Sequence, residues 1–187
     1  MNYWHVVSFN DDDEEQAQIM MNRRNQLLRQ KYDTWFTSKT AWTGHLGELA
    51  FKNYLDKMIL SHADWEYDWY ATEDSLDDLD FFVKDRKVDV KTRANNYYPQ
   101  QHYENNINQG QLEKIERQNK IDTLVFCHYH LPKKQAILTG WIDIETFKKR
   151  ARRIDKGQEM NRISNATATL YCIKNSQLRS LQRPTST

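Results

Sequence analysis

Between Leu76 and Arg93 the chain reads LDDLDFFVKDRKVDVKTR. Asp77, Asp78 and Asp80 precede its first apolar run, and Asp89 and Lys91 stand two residues apart inside its second. A carboxylate within a strand is costly to desolvate unless it is paired or bound to a metal. Asp80, Asp89 and the Val90 carbonyl would offer only oxygen ligands, which suits Mg²⁺, with Mn²⁺ as a substitute, and leaves room for water and a substrate phosphate. Lys91 beside them could hold or deprotonate the attacking water and offset charge that builds on phosphorus. The chemistry this points to is metal-assisted phosphodiester hydrolysis. The competing reading is a surface hairpin whose aspartates and lysines form ion pairs worth little each.

The elements that must position these groups follow from periodicity. A two-residue turn at Asp85 and Arg86 would place Lys84 opposite Lys87, Asp80 opposite Lys91 and Phe82 opposite Asp89. With side chains alternating at period two, Asp80, Asp89 and Lys91 share one face, and Phe81, Val83, Val88 and Val90 share the other. Asp78 lies one step further out on the acidic face and Asp77 points away, so parity favours Asp80. Upstream, Asn10 followed by DDDEE predicts an N-capped helix to about Gln30. In WTGHLGELAFKNYLDKMI, the residues Leu46, Leu49, Ala50, Tyr54, Leu55 and Met58 recur at helical spacing, with Glu48 at the edge of their stripe. Trp65 to Tyr70 reads as a strand, followed by the hairpin of Leu79–Val83 with Val88–Thr92. NINQGQLEKIERQNK reads as a polar helix or helix pair, IDTLVFCHY as a buried strand, QAILTGWI after the Pro132 turn as another, Ile144–Ile154 as a helix, TLYCIK as a last strand, and the tail after Leu181 as frayed.

The helix with Gly47-Glu48-Leu49-Ala50, then Asp80-Phe81-Phe82-Val83, then Val88-Asp89-Val90-Lys91-Thr92, resembles the PD-(D/E)xK nuclease superfamily, which includes restriction endonucleases and Holliday junction resolvases. The resemblance covers about half the chain and departs from the family's name in that Leu79, not Pro, precedes Asp80. It implies a mixed α/β (α+β) fold with a restriction-endonuclease-like αβββαβ core. A mixed central sheet would be flanked by helices, with an N-terminal helix and C-terminal β/α additions. It also implies catalytic Asp80, Asp89 and Lys91, with Glu48 completing a metal site of Asp80, Asp89, Val90 and Glu48. The expected organisation is a single nuclease domain over 1–187, with its core at about 44–130, an N-terminal helical extension over 1–40 and additions over 135–182.

Other features bear on partners. Residues 1–90 hold 10 Lys/Arg against 18 Asp/Glu and residues 91–187 hold 17 against 8, so charges of −8 and +9 hide behind a net +1. That split suits a metal held at one spot and a polyanion along another surface, although solvated helix faces give the same count. Arg93, Asn95, Asn96, Tyr97, Tyr98 and His102 follow the DxK strand and mix cations, amides and rings, a composition suited to phosphate and base contacts. On a helix over Phe147–Lys156, Phe147, Ala151 and Ile154 would face inward. Lys148, Lys149, Arg150, Arg152, Arg153 and Lys156 would then be left for phosphates. In Cys127-His128-Tyr129-His130, alternation sends the cysteine and tyrosine to one face and the histidines to the other, which argues against zinc. His45 reads as a capping or packing residue, and Gln109 and Gln111 as a solvated helix face.

With 39% hydrophobic and 12% aromatic residues the chain has material for a folded core despite a mean hydropathy of −0.93. Its start has neither the basic front nor the apolar run of a signal peptide, and its two cysteines are too few for a disulfide framework. A cytoplasmic protein with reduced core thiols is expected. Together these readings predict an Mg²⁺-dependent endonuclease acting on DNA, most simply double-stranded, as a homodimer or higher homo-oligomer, since duplex symmetry invites a two-fold enzyme. A non-catalytic DNA-binding or assembly module of the same fold is the alternative.

Overall fold

A computed structural model describes residues 3–32, 40–58, 65–67, 81–118, 121–161 and 164–181. The described chain is mixed α/β. In order it forms β1 (His5–Ser8), α1 (Asp11–Tyr32), α2 (Thr43–Lys57), β2 (Trp65–Tyr67), β3 (Phe81–Val83), β4 (Arg86–Asn95), β5 (Glu104–Asn108) and α3 (Gln109–Gln118). Then follow β6 (Thr123–His130), β7 (Gln135–Asp143), α4 (Ile144–Arg150), β8 (Arg152–Ile154), β9 (Glu159–Asn161), β10 (Ser164–Asn165) and β11 (Leu170–Lys174). No helix among the described residues is long and apolar enough to cross a membrane.

Six strands form the main sheet in the order β1-β7-β6-β4-β3-β2. It is a mixed sheet, because β4 and β6 run parallel while their other neighbours run antiparallel. Every residue of β6 is buried, which its unbroken apolar run requires of a strand covered on both faces. On one face α1 and α2 bury Ala17, Leu46, Ala50, Phe51, Tyr54 and Leu55 against Phe81, Val88, Val90, Val125, Cys127, Tyr129 and Leu138. On the other, Leu124, Phe126 and Ile142 meet Ile107, Leu112, Ile115, Phe147 and Ile173 from α3, α4 and a second sheet of order β5-β11-β8. Alternation along β6 therefore divides the two cores residue by residue.

The helix starts behave as their sequence suggests. At α1, Asp13 N–H donates to Asn10 Oδ1 and Asn10 N–H donates to Asp13 Oδ2, both at 2.9 Å, a reciprocal cap with four acids in the first turn. Tyr129 O–H donates to Glu14 Oε1 at 2.6 Å and Lys134 pairs with Glu14 at 2.8 Å, fixing α1 to the sheet. Both cysteines are free and buried, and burial pushes the Cys127 thiol up to about 12 and the Cys172 thiol to about 11.

Three segments depart from expectation. The β3–β4 turn is Lys84-Asp85, not Asp85-Arg86, and the pairs are Phe81↔Val88, Phe82↔Lys87 and Val83↔Arg86. Lys84 takes φ 54, the positive value a tight hairpin asks of its first central residue. Because the register moved by an even number of residues, the facing of the side chains is unchanged. β5 replaces the start of the expected polar helix: its alternating Asn105 and Ile107 are buried because the strand pairs with β11. Finally, the expected helix Ile144–Ile154 stops at Arg150. Ala151 is extended, and Arg152, Arg153 and Ile154 pair with Cys172, Tyr171 and Leu170. Phe147 and Ile154 are both buried, one from a helix and the other from a strand, so their helical spacing misled. Of the expected strand at Trp65–Tyr70, residues 68–70 lie outside the described residues, as do Leu79, Asp80 and the tail after Leu181.

Candidate active site

β4 positions two of the expected groups. Asp89 and Lys91 are two residues apart on the face opposite Val88 and Val90, and Lys91 Nζ lies 2.6 Å from Asp89 Oδ2. Asp89 is buried, with its side chain 12% exposed, against 30% for that of Lys91. The lysine thus supplies the positive charge that lets a carboxylate sit inside a sheet. Between them, Val90 turns its side chain into the core with α2. Asp122 N–H donates to the Lys87 carbonyl at 2.8 Å from the β6 side, so by alternation the Val90 carbonyl faces the β3 side. Asp77, Asp78 and Asp80 lie outside the described residues.

Glu48 comes from α2, which crosses β4 one residue beyond Lys91. The crossing is close: a Cβ on Gly47 would overlap Thr92 Oγ1 and lie 3.1 Å from Thr92 Cβ. Glycine is thus what lets the helix backbone rest on this strand, and the sequence reading assigned Gly47 no such role. Glu48 is buried, and its Oε2 lies 3.3 Å from His45 Nδ1, one turn earlier. Since α2 covers the face of Val88, Val90 and Thr92, Glu48 and the Asp89–Lys91 pair start from opposite sides of β4. Among the described residues no three or more His, Cys, Asp or Glu side chains are grouped so that they could hold a metal ion.

The residues expected to contact nucleic acid are not one surface. Asn95 is buried and its Nδ2 donates to His128 Nδ1 at 2.8 Å, so its amide turns inward. Arg93 is exposed, with Nη1 donating to the Glu104 carbonyl at 3.3 Å, and Asn96, Tyr97 and Tyr98 are exposed. The basic helix is corrected by the break at Ala151, since its cations divide between α4 and β8. Three of the six are also held by acids. Lys148 pairs with Glu145 at 2.9 Å and Glu116 at 3.3 Å, Arg152 with Glu104 at 2.9 Å, and Arg153 with Asp155 at 2.8 Å. The Glu145 hydrogen bond raises the Lys148 ammonium above its ordinary pKa. Lys149 is exposed. Gln109 donates to Glu113 at 2.7 Å and Gln111 exchanges contacts with Asn108, so both glutamines serve α3.

Sequence reasoning missed a buried polar chain beside this site. Asn95 donates to His128, His128 Nε2 donates to Asn105 Oδ1 at 3.0 Å, Asn105 Nδ2 to Asn175 Oδ1 at 2.8 Å, and Asn175 Nδ2 to the Gln100 carbonyl at 2.8 Å. Reading the amides this way requires a neutral His128 with its proton on Nε2. Burial first, then the charge of Arg93, lowers its pKa to about 4. The sequence signal was a pair of histidines, His128 and His130, within an otherwise largely apolar strand. Comparisons of the chain with protein-family models, with curated proteins and with solved structures return no match.

Proposed function

We propose that the chain is a metal-dependent DNA endonuclease that hydrolyses phosphodiester bonds on a restriction-endonuclease-like core, as its resemblance to the PD-(D/E)xK superfamily implies. The observation that carries this reading is the Asp89–Lys91 pair, 2.6 Å apart on a hairpin strand whose other face is core. The element order supports it, with α2 preceding the hairpin and α3 leading into a β6 that runs parallel to β4. The donors fit a hard cation: a buried carboxylate and a strand carbonyl are oxygen ligands, and Asp89 already sits where positive charge is required. Asp89, the Val90 carbonyl and Asp80 would hold the ion, and Glu48, which starts from the α2 side of β4 beside His45, would have to reach it around the strand. A bound Mg²⁺ would supply Lewis-acid polarisation of the phosphate and a more acidic water. Lys91 holds the attacking water or takes its proton, and its charge offsets that gathering on the phosphate oxygens. Where the substrate is a duplex, cutting both strands takes two such sites, which a homodimer would supply.

The test is incubation with linear, supercoiled, branched and single-stranded DNA, and with RNA, in Mg²⁺ and in EDTA. Mg²⁺-dependent cleavage of DNA is expected; no cleavage of any substrate would refute the proposal. A second reading, a non-catalytic DNA-binding or assembly module, is favoured by the closure of Asp89 and Lys91 on each other. It requires DNA binding with no Mg²⁺-dependent products.

A further inference from the structure

Past its last strand residue, β4 runs into a loop that displays rings. Tyr97 is 51% exposed and Tyr98 38% exposed, large for tyrosines on a fixed backbone. Their positions are set by neighbours. Tyr97 meets Tyr103 edge to face with centroids 5.2 Å apart, and His102 meets Tyr103 at 4.8 Å. Tyr98 lies over His130 at 4.5 Å, carries Lys133 Nζ 4.8 Å from its centroid, and donates its hydroxyl to Gln135. In an edge-to-face pair at least one ring keeps both faces clear of its partner and the other keeps one, so Tyr97 retains a π-face that Tyr103 does not cover.

The backbone beneath is held by the buried polar chain. Asn175 receives the Asn105 amide and donates to the Gln100 carbonyl, Asn175 N–H donates to the Tyr103 carbonyl at 2.9 Å, and Ser176 N–H donates to the Gln101 carbonyl at 2.8 Å. A loop tied down from below presents its rings with little entropy left to lose on binding. The flanking charge is positive: Arg93 and Lys133 form no ion pair among the described residues, and the nearby Glu104 is taken by Arg152. Rigid exposed rings bordered by unpaired cations match unpaired nucleotides, whose bases offer flat faces and whose backbone is anionic.

Location ties this patch to the candidate site. His130 stands opposite Asn95 in the parallel register and on the sheet face of His128, which is the face of Asp89 and Lys91. Lys91 is four residues from Asn95, about 13 Å along the strand, a distance that roughly four stacked nucleotides span.

We propose that Tyr97, beside a Tyr98 held by His130 and Lys133, forms a base-stacking platform for an unpaired strand of nucleic acid whose backbone passes the exposed Arg93 toward Lys91. The substrate would then be single-stranded DNA or DNA with an unpaired segment. This rests on the nuclease reading of Asp89 and Lys91 for its consequence, while the platform itself is tested by binding.

The full-length chain is titrated, in Ca²⁺ and without Mg²⁺, against fluorescein-labelled oligo(dT) of about 20 nucleotides, a duplex of equal length, and oligo(U), with anisotropy as the readout. Tighter binding to the single strand than to the duplex is expected. Tyr97→Ala should weaken single-strand binding roughly 5- to 100-fold and leave duplex binding unchanged. Tyr97→Phe should bind as wild type does. Oligo(U) binding as well as oligo(dT) would show a platform that accepts either sugar, as stacking predicts. Unchanged single-strand affinity in Tyr97→Ala, or wild type that prefers duplex, would overturn the platform. Tyrosine-dependent binding without Mg²⁺-dependent cleavage would refute the nuclease and leave the platform standing; cleavage with tyrosine-independent binding would do the reverse.

Discussion

Asp89 is the side chain on which the hydrolytic reading turns, because its one described partner is also the group proposed to act beside it. Asp89→Asn should abolish Mg²⁺-dependent cleavage. Its effect on stability is also expected to have a definite sign: the change removes the described ion pair with Lys91, whose side chain is 30% exposed, so a loss of up to about 1 kcal/mol is expected, between surface and buried pairs. Urea unfolding and a cleavage assay on one preparation check both; full activity would remove Asp89 from the site. Lys91→Met should retain DNA affinity in Ca²⁺ yet cleave at least ~10²-fold more slowly in single-turnover assays with Mg²⁺. Lys91→Arg should rescue poorly, since a fixed fork of very high pKa suits neither a point charge nor proton transfer. Glu48→Gln should cost less than either, because Glu48 lies on the α2 side and shares its carboxylate with His45. At this scale period-two alternation was enough to place Asp89 and Lys91 together. The role of Gly47 was illegible for a physical reason: what matters there is a missing Cβ, which becomes visible only against Thr92.

The elements show where pattern reading holds. α2, β6, β7 and β11 have long or periodic apolar signals and form where those signals lie, while α1 forms behind the Asn10 cap and the acids that announce it. β1, β5 and β8 are short, polar or cationic, and each is a strand because a neighbour supplies its ladder, which no local pattern records. The hairpin shifted by one position at each end because turn geometry, not apolar alternation, sets where the chain reverses. The α2–β4 contact gives a prediction of its own. Gly47→Ala should gain about 1 kcal/mol of helix propensity but lose about 1–3 kcal/mol to overpacking on Thr92, a β-branched side chain with little room to turn. Net destabilisation is expected, with partial recovery in Gly47→Ala combined with Thr92→Ala; a more stable single variant would show that the helix can lift off freely. The buried chain through His128 predicts pH dependence. A folded pKa of about 4 against an ordinary 6.5 means the unfolded chain binds the extra proton between those values. Stability is therefore complete above pH 6.5 and falls toward pH 4, by about 3 kcal/mol from this residue. His5, also lowered by burial, adds in the same direction. His128→Gln should be less stable at pH 7 yet lose less between pH 7 and 4.5 than wild type does, as denaturant midpoints would show.

At the scale of the whole molecule, some of the cations behind the +9 of residues 91–187 are already paired within the fold. Many of the second half's described cations are spent on carboxylates: Lys134 on Asp11 and Glu14, Arg179 on Asp143, Lys148 on Glu145 and Glu116, Arg152 on Glu104, and Arg153 on Asp155. A cation with an acid partner already in place has no condensed counterions of DNA to replace without first giving up that partner. Count of charge is then a poor guide to affinity, and position is a better one. Arg93 and Lys133 stand without ion-pair partners among the described residues beside the tyrosine loop. Replacing both with Gln should weaken single-strand binding and reduce the slope of log K against log salt by about 1.4, at ~0.7 per phosphate neutralised. Replacing Lys148 and Arg153 with Gln removes the same formal charge from paired positions, and the slope should change by less than about half that amount. Anisotropy titrations over a range of NaCl concentrations measure both slopes. If the two double variants flatten the salt dependence equally, the polyanion is bound by overall charge and the path from Lys91 to Tyr97 has no electrostatic preference.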